Sequence, residues 1–454
     1  MGTQPARGMR DFLPEDVRRR EYVVRVVRDV YDRYGFEPLE TPAVENIETL
    51  VGRYGDEGSK LIFKILKRGE HEATGQADLA LRYDLTVPLA RVVAEHQARL
   101  PKFFKRYQIQ PVWRAERPAR GRFREFYQCD IDSIGSTSPV VEAEQIAAVS
   151  EILKALQFKS FSIRLNHRGV LRGILLSAGI ENGQHGDVLV ALDKRDKIGE
   201  SGVEIELGHR GLDRATIGRL LALTALLPAA LDPFDELDVL DAKIGSDPEA
   251  HGAIDNLRAI FRLAGGAGAG SQLIFDKSLA RGLSYYTGAI MEIAVPDLPG
   301  SLGGGGRYDN LIGTFLGREI PACGFSLGLE RILVVMDGRK MFPESVADRN
   351  ADVMVAIWEP ELDWEADALA LASSLRASGI RTDVYPDPEP RKVSRQFKYA
   401  DARRIPLVAI VGPDERARNM VNVKDLRSGQ QHLCERSKLG EAIKQLLSPK
   451  AIPI

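Results

Sequence analysis

The segment from Trp113 to Asp132 constrains the fold more than any other, because it reads as two extended runs joined by a loop that holds Pro118 and Gly121. Such a pattern makes a long antiparallel hairpin. Strand side chains alternate between faces, so Arg114 and Glu116 share one face of the outgoing run. Arg122, Arg124, Phe126, Gln128, Asp130 and Asp132 share a face of the return run. That face offers guanidinium groups for phosphate oxygens, an aromatic plane for a base, and an amide and carboxylates for an amine. A nucleotide and an amino acid fit side by side on it. A solvated edge hairpin with patterned charge has the same sequence, so the hairpin alone leaves both readings open.

Its surroundings group strands together. Segments near Ala80 to Tyr83, Lys105 to Trp113 and Phe123 to Ile134 read as strands and Glu142 to Leu156 as a helix. That grouping predicts an α+β unit with an antiparallel sheet rather than a doubly wound one. A first helix is expected from about Pro14 to Tyr34, with Asp11 as N-cap, Val23, Val26, Val27 and Val30 on one face and Gly35 as its stop. The two prolines of Phe36 to Pro42 suit an edge or interface strand.

With 454 residues the chain is long enough for about three domains. The α+β unit is expected over 1–165 and 266–340, with a Leu- and Ala-rich helical insertion over 166–265. The run Gly265 to Gly270 reads as a linker. A dinucleotide fingerprint needs a helix after it, and here Leu273-Ile274-Phe275 follows. Over 350–454, strands Val353 to Trp358, Thr382 to Tyr385 and Leu407 to Val411 alternate with helices Leu362 to Ser378 and Arg391 to Ala402, which predicts a small α/β domain with parallel strands.

Composition excludes several classes. Three dispersed cysteines give neither a disulfide framework nor a metal knuckle and favour a reducing compartment. No signal peptide and no apolar run long enough for a bilayer are expected, so the cytoplasm is the default. The seven histidines show no metal-ligand spacing, and no metal site is expected. A net charge of -2 conceals two basic clusters. From Arg99 to Arg124 nine Lys or Arg stand against Glu116 alone, and from Arg391 to Arg404 six stand against Asp401 alone.

Two further segments invite a ligand. Gly303 to Gly306 permit close backbone approach. Gly324 to Arg331 reads as a strand ending at Gly328 and a helix whose first turn carries Glu330 and Arg331, where a helix N-terminus and a full positive charge would favour phosphate. A plain strand-to-helix junction reads the same way.

Taken in order, these segments resemble the three signature motifs of class II aminoacyl-tRNA synthetases. Pro42 ends the first, the Arg114 to Phe126 hairpin is the second and Gly328-Leu329-Glu330-Arg331 is the third. Four further motifs resemble the histidyl-tRNA synthetase family: Leu81-Arg82-Tyr83-Asp84-Leu85-Thr86, Gln128-Cys129-Asp130-Ile131-Asp132, Arg281-Gly282-Leu283-Ser284-Tyr285-Tyr286-Thr287-Gly288 and Gly304-Gly305-Gly306-Arg307-Tyr308-Asp309. The likeness covers nearly the whole chain, by position rather than by residues in the insertion.

The resemblance implies that L-histidine is activated with ATP to histidyl-adenylate and pyrophosphate, then passed to the 3′-end ribose of tRNA(His). It implies that Arg114 holds the α-phosphate and is catalytic, that Glu116 and Arg122 serve the adenosine and triphosphate ends, that Phe126 stacks on adenine and that Arg331 takes the γ-phosphate. Asp84, Thr86, Gln128 and Asp132 would read the histidine α-amino group, with Arg114 nearby, while Tyr285, Tyr286 and Tyr308 would line the imidazole pocket. Arg281 would be a catalytic cation near the reacting carboxylate and the α-phosphate, and would also bind histidine. Mg²⁺ would arrive with ATP. The 166–265 insertion would clamp the tRNA acceptor end, the 350–454 domain would bind the anticodon, and Phe36 to Pro42 would sit in a homodimer interface. Two rivals are a non-catalytic paralogue that regulates histidine biosynthesis and a pseudo-synthetase that senses uncharged tRNA. The first typically lacks the Arg281 motif and the C-terminal domain, and intact Arg114, Arg281 and Arg331 speak against the second.

Overall fold

The structure, a computed structural model, describes residues 2–51, 60–69, 74–225, 232–280, 285–296, 298–343, 346, 351–387 and 392–448. The chain forms two compact units that part between Met341 and Phe342.

The first unit is built on strands β1 (Glu37–Pro38), β2 (Val44–Asn46), β3 (Lys64–Leu66), β4 (Ala77–Leu81), β5 (Phe104–Trp113), β6 (Glu125–Ile134), β7 (Ser162–His167), β8 (Leu273–Phe275), β9 (Ala289–Ala294), β10 (Gly303–Arg307) and β11 (Ala322–Gly328). Eight of them make one sheet in the order β1-β5-β6-β11-β10-β9-β7-β8, while β2-β4-β3 form a small antiparallel sheet. The six inner strands of the large sheet are antiparallel, as expected. Each edge strand joins in parallel, β1 on β5 and β8 on β7, so the sheet is mixed. A parallel neighbour needs a crossover connection. The helices between His167 and Gly270 form the one from β7 to β8, so the 166–265 stretch is topologically a long crossover of this sheet.

The first helix runs over Pro14–Arg33, buries Val23, Val27 and Val30, and stops at Gly35 with φ of +71°. Its start differs from expectation. Leu13, not Asp11, is the N-cap residue, and its N–H is taken by the Asp16 carboxylate at 3.2 Å. The glycine run also differs, since Gly265 and Gly266 close the helix Pro248–Gly266. Under the cleft described below lies a core that includes Leu50, Tyr83, Val87, Leu89, Phe104 and Tyr308, with Tyr285 and Tyr286 packed against it.

The second unit has strands β12 (Val353–Ala356), β13 (Thr382–Val384), β14 (Leu407–Ile410), β15 (Met420–Asp425) and β16 (Gln431–Glu435), ordered β13-β12-β14-β15-β16. The first three are parallel. β15 and β16 add antiparallel strands that the expected pattern did not contain. Alternation along β12 sends Val353 and Val355 to one apolar layer, with Leu371 and Ile443, and Met354 and Ala356 to another, with Ala400 and Ile405. Among the described residues no helix is long and apolar enough to cross a membrane.

Candidate active site

β5 and β6 pair along their full length, which sets Arg106 opposite Asp132, Gln108 opposite Asp130 and Gln110 opposite Gln128. Phe126, Gln128, Asp130 and Asp132 alternate onto one face and line a cleft. At the tip the period-two reading fails, because β6 begins only at Glu125. Arg122 still lines the cleft, 3.3 Å from the Glu116 carboxylate. Arg124 turns away: its Nε donates to Glu116 O at 3.0 Å and its Nη1 reaches Arg7 O at 3.4 Å. The N-terminal segment grips the same loop. Gly8 O accepts from Arg124 N at 2.8 Å, and a Cβ on Gly8 would stand 2.8 Å from the Pro118 ring.

Arg114 donates through Nε to Tyr83 O at 3.1 Å, and its guanidinium lies 4.3 Å from the Tyr83 ring centroid and 5.1 Å from that of Phe126. Anchored at one nitrogen and packed between two rings, it is a fixed cation. Glu330 and Arg331 enter from the start of the helix Leu329–Gly338, where the strand-to-helix junction falls at Gly328 as expected. Glu330 Oε2 accepts from Tyr127 N at 2.9 Å, and burial pushes its carboxyl up to about 7. Arg331 donates to Ser301 O and, at 3.3 Å, to Gly121 O, so it joins the hairpin loop to the strand β10 side of the cleft.

The other end of the cleft is a nest of buried polar groups. Asp132 accepts from Tyr308 Oη through Oδ1, and Arg106 Nη2 lies 2.7 Å from its Oδ2. Gly324 makes room, since a Cβ there would stand 2.0 Å from Asp132 Oδ1. Burial raises the Asp132 carboxyl to about 6 and that of Asp130 to about 7, although Arg106 opposes both shifts. Asp84 accepts from Val87 N at 3.0 Å at the start of the helix Thr86–Glu95. Thr86 hydrogen-bonds Tyr285, whose ring packs edge-on against Tyr286 at 5.0 Å and Tyr308 at 6.0 Å. Gln128 Nε2 donates to Ser326 Oγ at 2.7 Å, while its Oε1 is buried with no hydrogen-bond partner among the described residues.

One cleft therefore gathers Asp84, Thr86, Gln128, Asp132 and the three tyrosines with Arg114, Glu116, Arg122, Phe126 and Arg331. Arg281 to Ser284 lie outside the described residues.

A histidyl-tRNA synthetase family profile matches residues 8–332, and an anticodon-binding-domain profile matches residues 352–446. The chain belongs to the histidyl-tRNA synthetase family. Among its relatives, the histidine–tRNA ligase of Gloeobacter violaceus is 39% identical over 459 residues that cover 96% of this chain and 97% of that one. That of Porphyromonas gingivalis is 41% identical and covers 94% and 96%. The crystal structure of histidyl-tRNA synthetase from a Nostoc species superposes with a TM-score of 0.83 at 30% identity, covering 98% of this chain and all of that one.

Sequence reasoning missed Arg106 and Ser326 and gave Asp130 no role of its own. Asp130 had the signal, because it shares the period-two face with Gln128 and Asp132. Arg106 becomes visible only through the β5–β6 register, and Ser326 only once β11 is known to pair with β6. Arg82, noted only within a motif, is buried and donates to Thr41 O, Pro42 O, Pro111 O and Gln110 Oε1, tying the Pro42 segment to the hairpin. Cys129 is a packed thiol that burial keeps well above its ordinary pKa.

Proposed function

We propose that this histidine–tRNA ligase, an ATP-using enzyme by its family, divides its cleft into an amino-acid end and a nucleotide end. The observation that carries the reading is the buried Oε1 of Gln128, which has no partner among the described residues and lies beside the acids and the tyrosine wall: an acceptor in that position suits an ammonium group. Asp84, Thr86, Gln128 and Asp132 would take the histidine α-amino group. Tyr285, Tyr286 and Tyr308 would line its imidazole. Arg114 would hold the α-phosphate, Phe126 the adenine, Glu116 and Arg122 the adenosine and triphosphate ends, and Arg331 the γ-phosphate.

Histidine's carboxylate, with a pKa of about 3.5, is already ionised at neutral pH, so activation requires no general base. It requires in-line placement and neutral surroundings for two anions that meet at phosphorus. Arg114 and Arg281 would supply positive charge there. Glu116 in the same cleft offers the oxygen donor that a hard cation takes, which fits Mg²⁺ entering on the triphosphate. The imidazole pocket's polar groups would be left unpaired by an apolar analogue, a penalty of about 10⁴ or more in rate, so no editing site is needed.

The crossover helices of 166–265 would clamp the acceptor end of tRNA(His), between catalytic segments 1–165 and 266–340. The domain of 350–454 would take the anticodon on the basic run Arg391 to Arg404, which contains the helix Val393–Ala402, with work done in the cytoplasm by a homodimer. The testing variant is Arg281→Ala. Histidine-dependent ATP–pyrophosphate exchange should vanish while ATP binding persists, and an active variant would remove Arg281 from catalysis.

A further inference from the structure

We infer that Asp130 is a positioning residue for substrate binding: acting through Ser326, it fixes which end of the Gln128 amide faces the cleft. The inference rests on the reading of Gln128 as a ligand for the substrate's ammonium group.

Gln128 and Asp130 stand two residues apart on one face of β6, and Ser326 on β11 is the register partner of Asp130. Gln128 Nε2 donates to Ser326 Oγ at 2.7 Å and lies 3.5 Å from Asp130 Oδ1. Ser326 also hydrogen-bonds Asp130. A serine hydroxyl has one proton. Above about pH 7, where Asp130 is a carboxylate, that proton goes to it and Ser326 Oγ can only accept, so the group it accepts from has to be the amide NH2 of Gln128. The Gln128 Oε1 is then turned to the other side, where it is buried and has no partner among the described residues.

The polarity matters because an ammonium group only donates. Oε1 meets it as an acceptor, whereas a flipped amide would set NH2 against it. Gln128 is 6% and Asp130 2% exposed, so water does not restore a wrongly turned amide at little cost. Asp132 does not share this task, since its oxygens face Tyr308 and Arg106. An asparagine at 130 would offer Ser326 a donor, let the hydroxyl turn round and free the amide to flip, with side-chain volume nearly unchanged.

The test is the histidine KM of the full chain in ATP–pyrophosphate exchange. Asp130→Asn should raise it about tenfold with the ATP KM unchanged, the size of one hydrogen bond to a charged group. Ser326→Ala should do the same and serves if the first variant fails to fold. The deciding comparison repeats both substitutions in a Gln128→Glu background. A carboxylate presents oxygen whichever way it turns, so there they should add no rise. An equal rise in that background would mean a packing role and overturn the inference, as would no rise from either substitution in the native background. Gln128→Ala separates the two readings. An unchanged histidine KM there would sink the Gln128 assignment and the inference with it. A raised one, with both other substitutions silent, would sink the inference alone.

Discussion

In the cleft, burial lifts the carboxyls of Asp130 and Glu330 to about 7 and that of Asp132 to about 6. For Asp130, Arg106 works against the shift and Asp132 adds to it. A carboxyl whose pKa is higher in the folded state binds its proton more tightly there. Its ionisation therefore weighs against folding from about the unfolded value of 3.8 upward, and that penalty is complete above about 7. Without substrate, the Tm of Asp130→Asn minus that of the native chain should climb between pH 4 and 7 and then level off. A pH-independent gap would show that Asp130 stays ionised at no cost. At this scale the sequence was readable where charge recurs at a period of two, as in Gln128, Asp130 and Asp132. Arg106 was hidden because its partner is set by pairing across strands, which local pattern does not encode.

Elements were legible where their signals are local. The hairpin follows from its loop, the strand-to-helix change at Gly328 from its periodicity, and the stop at Gly35 from the residue itself. The cap at Leu13 was missed because a carboxylate three residues into the helix reaches back, and such partners compete with any acid upstream. The parallel edges were not legible, since β1 and β8 find neighbours far away in sequence. The glycines of β10 have a concrete cause. A Cβ on Gly305 would stand 2.0 Å from Gly324 O, and one on Gly303 2.4 Å from Ser326 O, so side chains there would force the sheet apart beside the cleft. β1 ends the sheet, hydrogen-bonded to β5, with Leu39 N continuing the ladder to Tyr107 O. Among the described residues no strand pairs with the outer side of β1, and a second copy pairing there would make the proposed homodimer. Light scattering should give twice the chain mass of 50.1 kDa, and a value near 50.1 kDa would refute the homodimer.

Across the whole molecule, a net charge of -2 says nothing of a nucleic-acid partner, while the basic runs ending at Arg124 and Arg404 do. The boundary between the two units was readable because period and composition change after about residue 340. What stayed hidden is how the segments interlock, as in the Arg82 fan onto Thr41, Pro42, Gln110 and Pro111, which depends on folding bringing distant backbone together. The chemistry proposed above reduces to one claim: an acceptor would hold the ammonium group common to all amino acids, and the aromatic wall would choose histidine by its side chain. ATP–pyrophosphate exchange across all twenty amino acids tests this directly. Histidine alone should support exchange, and exchange sustained by any other amino acid, or none with histidine, would contradict it.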